Sequence, residues 1–111
     1  IVDDHPSFRA SARAILESDG FEVVGESPDG TSALEAVREL EPDVILLDVQ
    51  LPDANGFDLC AFMCEMGPHP SIVLVSSRDA VDYSGLIDSS PALGFISKAD
   101  LSGEAVRALL A

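Results

Sequence analysis

Apolar runs and helix-period segments alternate along this chain. Val44-Ile45-Leu46-Leu47 is an unbroken apolar run closed by Asp48, and a turn segment follows it, Val49-Gln50-Leu51-Pro52-Asp53-Ala54-Asn55-Gly56. A run that apolar, ended that abruptly, reads as a central strand buried on both faces, with Asp48 at its carboxyl end. Ser71 to Ser76 and Leu93 to Ser97 read the same way. Phe21 to Gly25 is expected to be a further strand, and Ile1-Val2 the tail of a first strand truncated at the N-terminus.

Between the strands the period changes to that of a helix. Pro6 to Ser18 carries Phe8, Ala12, Ile15 and Leu16 on one face, with proline suited to the first turn. Pro28 to Leu40 repeats the pattern with Ala33, Leu34, Val37 and Leu40. Gly56 to Met66 and Ser102 to Leu110 are two more helices. Asp79 to Ser90 is a weak one, diluted by Gly85. Five strand-then-helix units joined by short connections predict one α/β domain over residues 1–111. Its sheet is parallel, with helices on both faces. In such sheets ligands bind at the carboxyl ends of the strands.

Charge narrows the functions open to the chain. Six basic residues face 20 acidic ones, a net charge of −14 over 111 residues. That balance repels nucleic acid and anionic membrane, and attracts divalent cations and basic protein surfaces. No stretch is long and apolar enough to span a bilayer. Cys60 and Cys64, four apart in a helix, read as small apolar residues rather than as a disulfide framework. With no signal peptide visible, a cytoplasmic setting is expected.

The candidate chemistry gathers at strand ends. Asp3 and Asp4 follow the first strand, Asp48 ends the third, Ser76 ends the fourth, and Lys98, the chain's single lysine, follows the fifth. Three converging carboxylates raise one another's pKa, and a hard divalent cation relieves the repulsion. Mg²⁺ suits the set, because it needs only one or two carboxylates and otherwise keeps its water. A hydroxyl and an ammonium beside them complete a cradle for a phosphoryl group. His5 and His69 are not assigned as ligands.

Asp3-Asp4, the segment Leu47 to Gly56, Val75-Ser76-Ser77 and Gly94-Phe95-Ile96-Ser97-Lys98 stand in an order that resembles the response-regulator receiver domain of bacterial two-component systems. The spacing is 28 residues from Asp48 to Ser76 and 22 from Ser76 to Lys98. The resemblance implies a CheY-like, flavodoxin-like fold with five parallel strands in the order 2-1-3-4-5 and five helices. It implies Asp48 as phosphoryl acceptor from a sensor histidine kinase and Asp4 as a direct Mg²⁺ ligand. Asp3 would act through water, the Gln50 backbone carbonyl would be a further ligand, and Lys98 would pair with a phosphoryl oxygen. Ser76 and Phe95 would be the switch pair. The opening Asp3 to Arg9, and Ala99 where many receivers have proline, resemble the subgroup joined to LuxR- or NarL-type helix-turn-helix domains. Dimerisation on phosphorylation and control of transcription through a DNA-binding output domain are therefore expected, the present segment not touching DNA itself.

Two alternatives are weaker. A phosphatase of the haloacid dehalogenase type needs a second carboxylate two residues after the nucleophile, where Gln50 stands. A degenerate receiver, acting as a phosphorylation-independent binding module, usually lacks an acidic residue that is present here. One surface expectation comes from helical geometry. Leu59, Cys60, Met63 and Met66 share one side of the third helix and are expected inward. Phe57 and Phe62 are then expected to lie partly exposed as a contact surface.

Overall fold

A strand buried on both faces must be apolar through its interior, and Ile45 to Leu47 and Ile72 to Val75 meet that condition, while polar residues stand at the strand ends. β1 (Val44–Asp48), β2 (Ser71–Ser76) and β3 (Gly94–Ser97) pair in parallel in that order. Asp48 lies opposite Val75, and Ser76 opposite Ser97. The computed structural model describes residues 1–67 and 69–111, without the side chain of Ser84.

Helices cover both faces, and side-chain alternation divides the core between them. Ile45, Leu47, Ile72 and Leu74 point to α2 (Gly30–Leu40) and α3 (Gly56–Glu65). Leu46, Val73 and Val75 point to α1 (Pro6–Ser18) and α5 (Gly103–Leu110), meeting Ala12, Leu16 and Val106. Leu47 and Leu74 are fully buried. Truncating either to alanine would cost about 2–5 kcal/mol. Local chemistry sets the helix starts. Pro6 opens α1, Asp29 accepts from Ser32 N at 2.8 Å to cap α2, Asn55 accepts from Phe57 N at 2.8 Å for α3, and Ser102 accepts from Ala105 N at 3.0 Å for α5.

Two sequence expectations are corrected in detail. The predicted first strand is reduced to isolated bridges at Val2, and the predicted second strand, Phe21 to Gly25, is not formed, its side of the sheet being marked by a bridge at Ser27. Val2 bridges Leu47 on one side and Ser27 on the other, both in parallel, so the places of the order 2-1-3-4-5 are kept without two full ladders. The physical reason is that a strand is defined by its neighbour. Here the bonds between the two segments are Ser27 N to the Ile1 carbonyl, Asp3 N to the Ser27 carbonyl and the Ile1 amine to the Gly25 carbonyl, and Phe21 to Val24 have no such partner. A cavity of about 330 Å³ lies between this segment, α2 and β1, lined in part by Val23, Val37, Leu40 and Val44. The weak fourth helix becomes a 3₁₀ turn (Ala80–Tyr83) followed by six residues of α4 (Ser84–Ser89). No helix among the described residues is long and apolar enough to cross a membrane.

Candidate functional site

The carboxyl ends of the strands deliver the site. Asp48 closes β1, Ser76 closes β2, and Lys98 follows β3, while Asp3 comes directly after the bridging Val2. Parallel pairing puts these ends on one edge. The structure thereby brings Asp3, Asp4, Asp48 and Lys98 together, and sets Ser76 on the strand beside Asp48.

Asp3 is the most enclosed of the group, with no exposed surface. Its Oδ1 accepts from the His5 backbone N–H at 2.8 Å and lies 3.0 Å from His5 Nδ1. Its Oδ2 faces Lys98 Nζ at 2.5 Å, but no aligned hydrogen bond reaches that oxygen. Burial opposes its charge, yet Lys98 and the His5 donors outweigh burial and hold its pKa below the usual carboxylate value. The Arg9 guanidinium donates to the Asp3 carbonyl at 2.6 Å, fixing the backbone here.

Asp48 is 3% exposed. Its Oδ1 accepts from Gln50 N at 3.2 Å and its Oδ2 from Lys98 Nζ at 3.4 Å. Burial, and then the charge of Asp3, push its pKa up to about 6 against the relief that Gln50 and Lys98 give. Lys98 is itself held over the Phe8 ring, 4.4 Å from the centroid. Asp4 remains exposed at the rim, 3.1 Å from His5 Nδ1.

One ligand atom from each of Asp3, Asp4, His5 and Asp48 lies within 4.8 Å of the others. The carboxylate oxygens of Asp3, Asp4 and Asp48 are hard donors that fit a divalent cation, and such an ion would relieve the repulsion between Asp3 and Asp48. His5, unassigned from the sequence, joins this cluster by position.

Ser76 is 2% exposed. Its Oγ accepts from Arg78 N at 3.1 Å and lies 3.1 Å from the Tyr83 hydroxyl. Phe95 is half-buried, its ring centroid 5.8 Å from that of Tyr83. Gln50 is exposed in a turn closed by Leu51 N donating to the Ala54 carbonyl at 3.1 Å. Asp53 in the same turn accepts from Gly30 N at 2.7 Å and Thr31 N at 3.1 Å, tying the turn to the start of α2.

The expected contact surface is corrected. Phe62 is 49% exposed, but Phe57 is only 8% exposed. The segment after β2 covers Phe57, whose ring meets Tyr83 edge-on at 5.5 Å between centroids. Met66, expected inward, lies past the end of α3 and is exposed. The one signal Tyr83 gives in the sequence is that it is the chain's single tyrosine, seven residues beyond Ser76.

Comparison with known proteins follows the same outline. A family model described as the response regulator receiver domain matches residues 1–109. The chain is 42% identical over 84 residues to MtrA of Mycolicibacterium smegmatis, described as a DNA-binding response regulator. That match covers 74% of this chain and 36% of MtrA. Among solved structures it resembles the signal receiver domain of NarL from Mycobacterium tuberculosis, at 33% identity and a TM-score of 0.83, covering 98% of this chain and 89% of that one. It also resembles a two-component response regulator of the LuxR family from Aurantimonas sp. SI85-9A1, at 26% identity and a TM-score of 0.85, covering 98% and 79%. The chain spans between 36% and 55% of the length of the first relatives it matches.

Proposed function

The chain belongs to the response regulator receiver domain family, and from that premise we propose that it is a signalling switch thrown by phosphorylation of Asp48. The donor is the phosphohistidine of a sensor histidine kinase. The observation that carries the reading is Asp48 itself, a buried strand-end carboxylate with Lys98 Nζ 3.4 Å away and two further aspartates at hand.

In the transfer, a carboxylate oxygen of Asp48 attacks the phosphorus and forms an acyl phosphate. The bond from phosphorus to the kinase imidazole breaks, and its electron pair stays on that nitrogen. Asp48 must be ionised to attack, and even with its pKa pushed up to about 6 by burial and the charge of Asp3 it is mostly so at neutral pH. Lys98, with Nζ 3.4 Å from Asp48 Oδ2, would pair with a phosphoryl oxygen. Asp4, Asp48 and the Gln50 carbonyl would hold Mg²⁺, with Asp3 acting through water. The ion would supply charge neutralisation for the carboxylates and the transferring oxygens. Ser76 would then turn toward the phosphoryl group and Phe95 would follow. The chain's own catalysis would be limited to accepting the group and slowly hydrolysing it.

Residues 1–111 would act as one receiver unit in the cytoplasm, its phosphorylated form free to dimerise. MtrA is described as DNA-binding, which supports transcription as the controlled output. At −14 this segment would not be the part that meets DNA.

Incubation with acetyl phosphate and Mg²⁺ followed by intact mass measurement tests the reading. One base-labile phosphoryl group is expected on the wild type and none on Asp48→Asn. Modification that persists in that variant removes Asp48 from the role.

A further inference from the structure

We propose that Tyr83 is a positioning residue of the phosphoacceptor site: its hydroxyl sets the direction in which Ser76 donates, and its ring carries that setting to the helical segment 80–89. The inference rests on the reading of Asp48 given above.

Hydrogen-bond accounting at Ser76 leads there. Ser76 is shut off from water, and its Oγ already accepts from Arg78 N at 3.1 Å. The Tyr83 hydroxyl stands 3.1 Å from the same oxygen, and either group can be the donor. A serine hydroxyl has one proton and room to accept two. In one arrangement Ser76 donates to Tyr83, and its proton is committed away from Asp48. In the other Tyr83 donates to Ser76, whose proton is then free for an anion. Ser76 lies one residue past Val75, the register partner of Asp48. A phosphoryl group on Asp48 brings acceptor oxygens to this corner and favours the second arrangement. The pair is thus a two-state element biased by charge at Asp48.

No neighbouring aromatic can take the part. The Tyr83 ring lies between Phe57, 5.5 Å away by centroids, and Phe95, 5.8 Å away, and neither carries a hydroxyl. Tyr83 and Ile87, one helical turn apart, pack the 80–89 segment against the core, while Val81 and Leu86 face solvent. A segment held by so few anchors follows the one that moves.

The chain has one tyrosine and no tryptophan, so tyrosine fluorescence reports Tyr83 alone. The protein is loaded with acetyl phosphate and Mg²⁺, and emission is compared at equal loading fixed by intact mass. The expected result is an emission change in the wild type, its loss in Ser76→Ala and its return in Ser76→Thr. Tyr83→Phe keeps the ring and should alter the phosphoryl lifetime by about threefold to tenfold, the worth of one hydrogen bond. A loaded wild type with unchanged emission overturns the proposal, as does an equal change in Ser76→Ala or an unaltered lifetime in Tyr83→Phe. No mass gain on the wild type overturns the reading of Asp48 and this inference with it. Mass gain with a silent Tyr83 overturns this inference alone.

Discussion

Lys98 leans on Asp3 rather than on Asp48. Its Nζ is 2.5 Å from Asp3 Oδ2 and 3.4 Å from Asp48 Oδ2. The uneven sharing explains why two neighbouring aspartates titrate in opposite directions. Asp3 gains the nearer cation and two His5 donors, and stays ionised. Asp48 keeps the burial and the repulsion, and is pushed up to about 6.

Lys98→Ala should therefore harm Asp3 first. It leaves a fully buried carboxylate without its cation, a change that typically costs about 3 kcal/mol. The pKa of Asp3 is depressed in the folded protein, so its contribution is present above the ordinary carboxylate pKa and is lost as pH falls through the folded value. The deficit of Lys98→Ala in urea unfolding with chelator present should be largest near neutral pH and should shrink in acid. Equal midpoints for variant and wild type at neutral pH would show that Asp3 draws its compensation from elsewhere.

Asp48→Asn should have the opposite effect on stability. The folded pKa of Asp48 lies above its ordinary value, so ionising it costs folding free energy. That cost develops as pH rises from about 4 to about 6 and stays constant above. With solvent screening allowed for, it amounts to about 1–2 kcal/mol. The variant should be more stable than wild type by that amount at neutral pH in chelator, and equal to it near pH 4. A gain that did not vary with pH would mean that packing, not charge, is responsible.

How far the sequence revealed this architecture depends on what each residue's state requires. The strands ending in Asp48, Ser76 and Ser97 needed only their own apolar runs, and Ser71–Ser76 was placed to the residue. The segment Phe21 to Gly25 needed a partner, and no property of its own residues could supply one. The two sides of α3 were separable by angle, but the burial of Phe57 depends on Tyr83, which arrives from a segment whose sequence promises little order. Within the site, residue types at strand ends marked Asp48 and Lys98. That Asp3 rather than Asp4 would be the buried member of the pair depends on which neighbour continues the backbone bonding of Val2, since Asp3 N donates to the Ser27 carbonyl at 3.0 Å.

Gly56→Ala should distort the acceptor loop. A Cβ at this position would run into the Asp48 carbonyl oxygen and come within 2.7 Å of Val49 Cα. Both are backbone, and Gly56 N donates to the Val49 carbonyl at 2.6 Å, so neither side can yield cheaply. Overpacking of this kind costs about 1–3 kcal/mol, with a larger penalty where only backbone can move. Thermal unfolding should show the loss, and the rate of phosphoryl uptake from acetyl phosphate should fall with it. A variant with wild-type stability would mean that the start of α3 can slide away from β1.

Asp53→Ala tests whether the turn carrying Gln50 is held from outside. Asp53 accepts from Gly30 N, Thr31 N and the Thr31 hydroxyl, the last at 3.0 Å, so one side chain both caps α2 and fixes the turn between β1 and α3. The backbone donors of Gly30 and then Thr31 hold its pKa below the ordinary value. A depressed carboxylate contributes stability above its unfolded pKa and loses it as pH falls through the folded one. Asp53→Ala should lower the thermal midpoint at neutral pH, and the two proteins should converge in acid. Asp53→Asn keeps an acceptor oxygen without the charge and should fall between them. Amide hydrogen exchange at Gly30 and Thr31 should quicken in Asp53→Ala. Unchanged exchange there would show that Asp29 alone is enough to cap the helix.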